Sequence, residues 1–243
     1  MNCVAAIFYI DLHVFECAYP NLHFIEIHIH INFLFSIGGD EVVYSCWEND
    51  ESITDFMQEQ GISDYDGLLE YFVQIAEGQV LSLHAVPIHW EEVFLAGAKV
   101  VPETIFQVWQ SQELIQTIVE ANYSVIASPA VPWYLDTWQD DRPVPNTWQD
   151  MYTYDPATGM TSAQEELLLG GEVAMWGEYV DEQNIESFVF PRAMAVGERL
   201  WSNKDVTSIN DATYRIDMHR CRMKARGFKS GPIQPGYCEQ TPV

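Results

Sequence analysis

The chain has 243 residues, 48% of them hydrophobic, which is enough for one large domain or two small ones and excludes a mainly disordered chain. Eleven Lys and Arg against 36 Asp and Glu leave a net charge of −25, so no broad phosphate-binding surface is expected and nucleic acid is excluded as a partner. The imbalance is uneven: residues 1 to 191 hold only Lys99 and Arg142 against 31 acids, whereas residues 192 to 243 hold nine bases and five acids, read as a solvated basic helix face on an acidic body, with a contact surface as the alternative.

The opening "MNCVAAIFYIDLHVFECAYP" has a short apolar run but no basic start, and Asp11 interrupts it, so no clear signal peptide is read here. The next apolar run, from Ile27 to Gly38, is too short for a membrane span and carries His28, His30 and Asn32. As a strand, "FIEIHIH" would place Glu26, His28 and His30 on one face, where they could bind zinc or copper; a half-exposed strand is the plainer reading. Behind this run, "IGGDEV" sets Asp40 and Glu41 side by side at what reads as the end of a buried strand.

In "WENDESITDFMQEQGI", Ile53, Phe56, Met57 and Gln60 fall at helical spacing and Gly61 supplies a stop. A second helix, "YDGLLEYFVQIAEG", leads to "AVPIHWEEVF", read as a strand. The pattern recurs as strand "TIFQVWQ", helix "SQELIQTIVEAN" and strand "YSVIASPA". Residues 132 to 160 fit neither period and read as a long functional loop. Then come the strand "LLLGGEVAMWGEYV", the helix "SFVFPRAMAVGERLWS" opened by Pro191, and a basic helix, "ATYRIDMHRCRMKARG". Alternating short strands and helices predict an α/β fold with parallel strands and crossover helices, with chemistry at the strand ends as in a (β/α)8 barrel; a doubly wound open sheet is the alternative, though no Gly-rich phosphate fingerprint follows any of these strands.

The five cysteines match no zinc spacing, so no metal site is expected from them. Cys221 and Cys238 bracket a Gly- and Pro-rich segment that a disulfide would staple; two reduced thiols are the alternative. Asn122-Tyr123-Ser124 is a glycosylation sequon, relevant to a secreted chain.

The proposed strands end in Asp40 and Glu41; Trp90, Glu91 and Glu92; Trp109; Trp133, Tyr134 and Asp136; Trp176 and Glu178. Aromatic walls beside carboxylates suit a sugar, whose C–H faces pack on rings while its hydroxyls donate to acids. Paired carboxylates can hydrolyse a glycoside, one protonating the leaving oxygen while the other supports the developing positive charge. Acids adjacent in sequence cannot easily straddle a sugar, which favours a nucleophile supplied by the substrate itself. Glu91 and Glu92 are read as supporting groups, and Trp47 and Trp201 as core packing.

The ordered set "IGGDEV", "CW", "WEEV", "QVW", "PWYLD", "GGEVAMWGEYVD" and "PRAMAVGERLWS" resembles the β-N-acetylhexosaminidases of glycoside hydrolase family 20, from about residue 37 to 240. The resemblance implies a partial (β/α)8 barrel holding about the fourth to eighth units in residues 37 to 243, after an atypical segment, residues 1 to 36. It implies that Glu41 is the general acid and base. Asp40 would hold the N–H of the substrate's 2-acetamido group and stabilise an oxazolinium ion. Tyr134 would donate to the acetamido carbonyl oxygen, Trp90, Trp109 and Trp176 would wall the sugar site, and Asp136 and Glu178 would bind outer hydroxyls. Cys221 and Cys238 match a family disulfide. The resemblance further implies glycans ending in N-acetylglucosamine or N-acetylgalactosamine as substrates, no cofactor, a homodimer, and a lysosomal or secreted location. The family's earlier barrel units do not match here, which predicts exposed sheet edges, low stability and weak activity, or sugar binding without turnover.

Overall fold

The structure is a computed structural model and describes residues 5 to 10, 33 to 136, 146 to 178 and 180 to 238. Glu26, His28 and His30, weighed as a metal-binding face against the plainer half-exposed strand, lie outside the described residues. In chain order the elements are β1 (Ala5–Ile10), β2 (Phe33–Gly38), α1 (Tyr44–Glu48), α2 (Glu51–Gln60), α3 (Tyr65–Ser82), β3 (Ala85–Trp90), α4 (Glu91–Leu95), β4 (Ile105–Val108) and α5 (Gln112–Glu120). They continue with β5 (Ser124–Ala127), α6 (Ala130–Trp133), α7 (Trp148–Thr153), α8 (Ser162–Glu165), β6 (Leu168–Met175), α9 (Ile185–Val189), α10 (Arg192–Trp201) and α11 (Ile209–Ala225). The chain divides into two compact units: an acid-pair unit of residues 26–126 and 160–168, and a C-terminal unit of residues 1–25, 127–159 and 169–243.

In the acid-pair unit, β2 pairs in parallel with β3, β3 pairs in parallel with β4, and β5 lies beside β4. The helices between them form where the sequence supplies caps. The Asp50 carboxylate accepts from the Ser52 N–H to start α2, Gly61 ends it at a φ of 70°, and Asp64 and Ser111 cap α3 and α5. On α5, Ile115, Ile118 and Val119 fall three and four apart and are all buried, each contributing roughly 1.5–3 kcal/mol. Ile88, Ile105 and Ile126 join the strands into a core, with Leu34 and Val86 packed against it.

Two expectations are corrected here. β3 stops at Trp90 rather than running to Phe94, because Glu91 and Glu92 occupy the first turn of α4, where carboxylates favour the helix N-terminus. β2 is not a buried strand: Phe33 is 67% exposed, Phe35 and Ser36 are also exposed, and Leu34, Ile37 and Gly38 are only half-buried.

In the C-terminal unit, β1 pairs in parallel with β6, Ala5 opposite Gly170 through Ile10 opposite Met175. Trp148 and Tyr152 of α7 pack on Ala195 of α10 and on Ala212 and Ile216 of α11. The expected loop over residues 132 to 160 therefore contains a core helix, started by a capping box in which Thr147 and Asp150 satisfy each other's backbone N–H groups. Trp201, expected in the core, is 62% exposed as the last residue of α10. The basic end is not simply a solvated face either. Arg199 and Arg220 are buried, Arg199 lying 3.7 Å from Asp155 and Arg220 bonding Asp217 at 3.1 Å. The Cys221–Cys238 disulfide is formed and ties the end of α11 to the following segment. Among the described residues no helix is long and apolar enough to cross a membrane.

Candidate functional site

The turn that ends β2 is built from residues few side chains could replace. Gly38 and Gly39 have φ of 82° and 101°, and a Cβ on Gly39 would stand 2.5 Å from Val93 Cγ2 of α4. Glu41 itself has a φ of 49°, a left-handed conformation that costs a non-glycine residue roughly 1 kcal/mol or more. Asp40 and Glu41 are both exposed, with their carboxylates on the surface of the acid-pair unit.

Beneath the turn sits a pair of groups the sequence reading missed. His89 of β3 is buried, with Nδ1 3.3 Å from the Gly38 carbonyl oxygen and Nε2 3.5 Å from Glu77 Oε1. Glu77 of α3 also accepts from Thr104 Oγ1 at 2.6 Å and from the Val101 N–H at 3.0 Å. Burial alone would raise the Glu77 pKa, but the hydrogen bonds from His89, Thr104 and Val101 hold it below the ordinary carboxylate value. The available signal was one acid, Glu77, on the buried face of a helix alongside Val73 and Val80.

The next strand ends are tied together by two acids. Glu91 is completely buried and accepts from the backbone N–H of Trp109 at 3.0 Å and of Gln110 at 2.8 Å. Glu92 accepts from the Trp109 indole Nε1 at 2.9 Å and from Gln110 Nε2 at 3.2 Å. Burial pushes the Glu91 carboxyl up to about 7 despite those backbone bonds. Glu92 is raised as well, by burial first and also by the charge of Asp40. Trp90 is buried and Trp109 half-buried. The supporting role expected of Glu91 and Glu92 thus takes the form of a clamp from the end of β3 onto the end of β4.

The C-terminal unit holds four of the expected residues and brings two of them, Tyr134 and Trp176, into contact. After α6 the chain makes a parallel bridge to β6 at Tyr134 and Ala174, with the Leu135 N–H donating to the Ala174 carbonyl at 2.9 Å. This sets the Tyr134 ring 5.6 Å from Trp176, edge toward face. Trp133, fully buried, donates from Nε1 to the Met151 carbonyl at 3.0 Å and packs over Gly171, where no side chain would fit. Asp136 is buried beside Arg192, whose guanidinium also donates to the Leu135 and Phe188 carbonyls. Burial lowers the Arg192 pKa to about 10, and the Asp136 charge opposes that shift. Glu178 is exposed. Glu172 of β6, another residue the sequence reading passed over, is buried against Ser128 at 3.1 Å and pushed up to about 7 by desolvation. Asn122 of the sequon is exposed in the turn between α5 and β5. Among the described residues no group of three or more metal-ligating side chains is found.

Residues 24–204 match the catalytic domain of glycosyl hydrolase family 20. The chain is 40% identical over 207 residues to human beta-hexosaminidase subunit beta, covering 83% of this chain and 36% of that one. It is 37% identical over 214 residues to beta-hexosaminidase subunit A1 of Dictyostelium discoideum, covering 86% and 40%. Among solved structures, a family 20 exo-β-N-acetylglucosaminidase from Vibrio harveyi in complex with N-acetylglucosamine superimposes with a TM-score of 0.74 at 25% identity, covering 82% of this chain and 33% of that one. A β-N-acetylhexosaminidase from Bacteroides fragilis does so with a TM-score of 0.69 at 19% identity, covering 81% and 42%. The chain thus spans about two fifths or less of the length of these relatives. The fold is part of a (β/α)8 barrel, as the alternation of elements predicted.

Proposed function

The chain belongs to glycosyl hydrolase family 20, and from that membership we propose that it carries the acid pair of a retaining hydrolase for terminal N-acetylhexosamines. The observation that supports this best is the glycine-built turn holding Asp40 and Glu41 exposed at the end of a parallel strand, inside the matched region.

Glu41, protonated, donates to the glycosidic oxygen as the bond to the anomeric carbon breaks. The carbonyl oxygen of the substrate's own acetamido group bonds to that carbon, and Asp40, accepting from the acetamido N–H, stabilises the positive oxazolinium ion. A water, losing its proton to Glu41, then opens this ring and leaves the original anomeric configuration. Trp90 and Trp109 offer the acetamido group an apolar wall in the same unit. Of the residues in the C-terminal unit, Tyr134 would donate to the acetamido carbonyl oxygen, Trp176 would offer a ring wall, and Asp136 and Glu178 would accept from outer hydroxyls. The proposed substrates are glycans ending in N-acetylglucosamine or N-acetylgalactosamine, and the proposed setting is an acidic or extracellular compartment, where Asn122 would carry glycan.

The test compares an aryl N-acetyl-β-glucosaminide with the matching aryl β-glucoside, which differs only at C2. Hydrolysis of the first, with retention seen by proton NMR and no turnover of the second, is expected. Equal rates on both, or an inverted product, contradict the mechanism. Binding of N-acetylglucosamine without hydrolysis supports the non-catalytic reading, which the exposed face of β2 favours.

A further inference from the structure

Glu91 and Glu92 divide one task unequally. Glu91 takes both backbone N–H groups of Trp109 and Gln110, so the end of β4 is already fixed to the start of α4 without its neighbour. Glu92 takes both side-chain donors of the same two residues on a single oxygen, Oε1, while its Oε2 is buried without a hydrogen bond. Burying a carboxylate only to hold a strand end is costly when another acid does so. What Glu92 holds, and Glu91 does not, is the indole N–H. Trp109 Nε1 lies on one edge of the ring, and a flip about the Cβ–Cγ bond would carry it away from Oε1. Trp109 is only half-buried.

We propose that Glu92 is a positioning residue that locks the Trp109 indole in the orientation that receives the acetamido group of an N-acetylhexosamine. This rests on the function proposed above.

The test uses the whole chain, with Glu92→Gln, Glu92→Leu, Trp109→Phe and the Glu92→Leu/Trp109→Phe double variant. Gln keeps an oxygen that accepts from the indole; Leu does not. In a proton–nitrogen NMR spectrum the Trp109 indole signal, assigned by its loss in Trp109→Phe, should shift in Glu92→Leu and stay near its place in Glu92→Gln. Affinity for N-acetylglucosamine should fall about tenfold in Glu92→Leu, the size of one lost buried hydrogen bond, and stay within about threefold in Glu92→Gln. The double variant should bind no more weakly than Trp109→Phe alone. An unmoved indole signal in Glu92→Leu overturns the proposal, as does equal loss of affinity in Glu92→Gln and Glu92→Leu. If the wild-type chain binds no N-acetylglucosamine, the proposed function fails, and the indole signal alone decides whether Glu92 holds the ring.

Discussion

Two regions of the acid-pair unit, one strand apart, are built in opposite ways. At the end of β2 the acids are exposed, the backbone is held at positive φ, and the support is a single histidine 3.3 Å from the Gly38 carbonyl. At the ends of β3 and β4 Glu91 is buried, Glu92 is half-buried, and the two are engaged in four hydrogen bonds of 2.8–3.2 Å. The chain therefore holds its ring wall rigidly and its acid pair lightly. Groups that move protons need contact with solvent and substrate, whereas a binding wall gains from being fixed in advance.

The strongest way to break the contrast is to remove the hidden support of the turn. Glu77→Ala leaves His89 buried without its carboxylate and orphans the Thr104 hydroxyl and the Val101 N–H. It should cost about 4 kcal/mol in urea unfolding. A loss below about 1 kcal/mol would mean that the pair is not buried as described.

The clamp should show itself next, through pH. Glu91 is pushed up to about 7 in the folded state from 4.5 when free, so the fold binds its proton more tightly than the unfolded chain does. Stability is then greatest below about pH 4.5, falls as pH rises to about 7, and is flat above, a swing on the order of 3 kcal/mol. Glu172 adds a slope of the same sign from the other unit. Glu91→Gln, which cannot titrate, should flatten part of this curve whatever its cost at pH 5. An unchanged curve would contradict the assignment.

The smallest effect is at Gly39. Gly39→Ala must hold a φ of 101° and push Val93 aside, at about 2 kcal/mol, and should move the turn without touching the clamp. The Trp109 indole signal should stay in place while aryl glycoside turnover falls.

Much of this was legible in the sequence where a residue's local pattern and its tertiary role agree. Ile115, Ile118 and Val119 mark α5 by spacing and do fill the core, and the acids behind short apolar runs do lie at strand ends. Reading failed where one signal overrode another. Glu91 and Glu92 carried the start of α4, yet the apolar run around them suggested a longer strand. Thr147 and Asp150 form a capping box inside a stretch whose Pro and Asp content suggested only loop. Phe33 and Phe35 looked buried because they are apolar, but hydrophobicity does not say which face of a strand is covered. Glu77, His89 and Arg192 were passed over because their roles depend on partners at least 12 residues away.

The central claim is that the lightly held turn does the chemistry. The direct measurement is kcat on an aryl N-acetyl-β-glucosaminide for the wild-type chain and for Glu41→Gln. Measurable turnover that falls by about 100-fold or more in Glu41→Gln, with affinity for N-acetylglucosamine unchanged, is the predicted result. Equal turnover in the two proteins would contradict it.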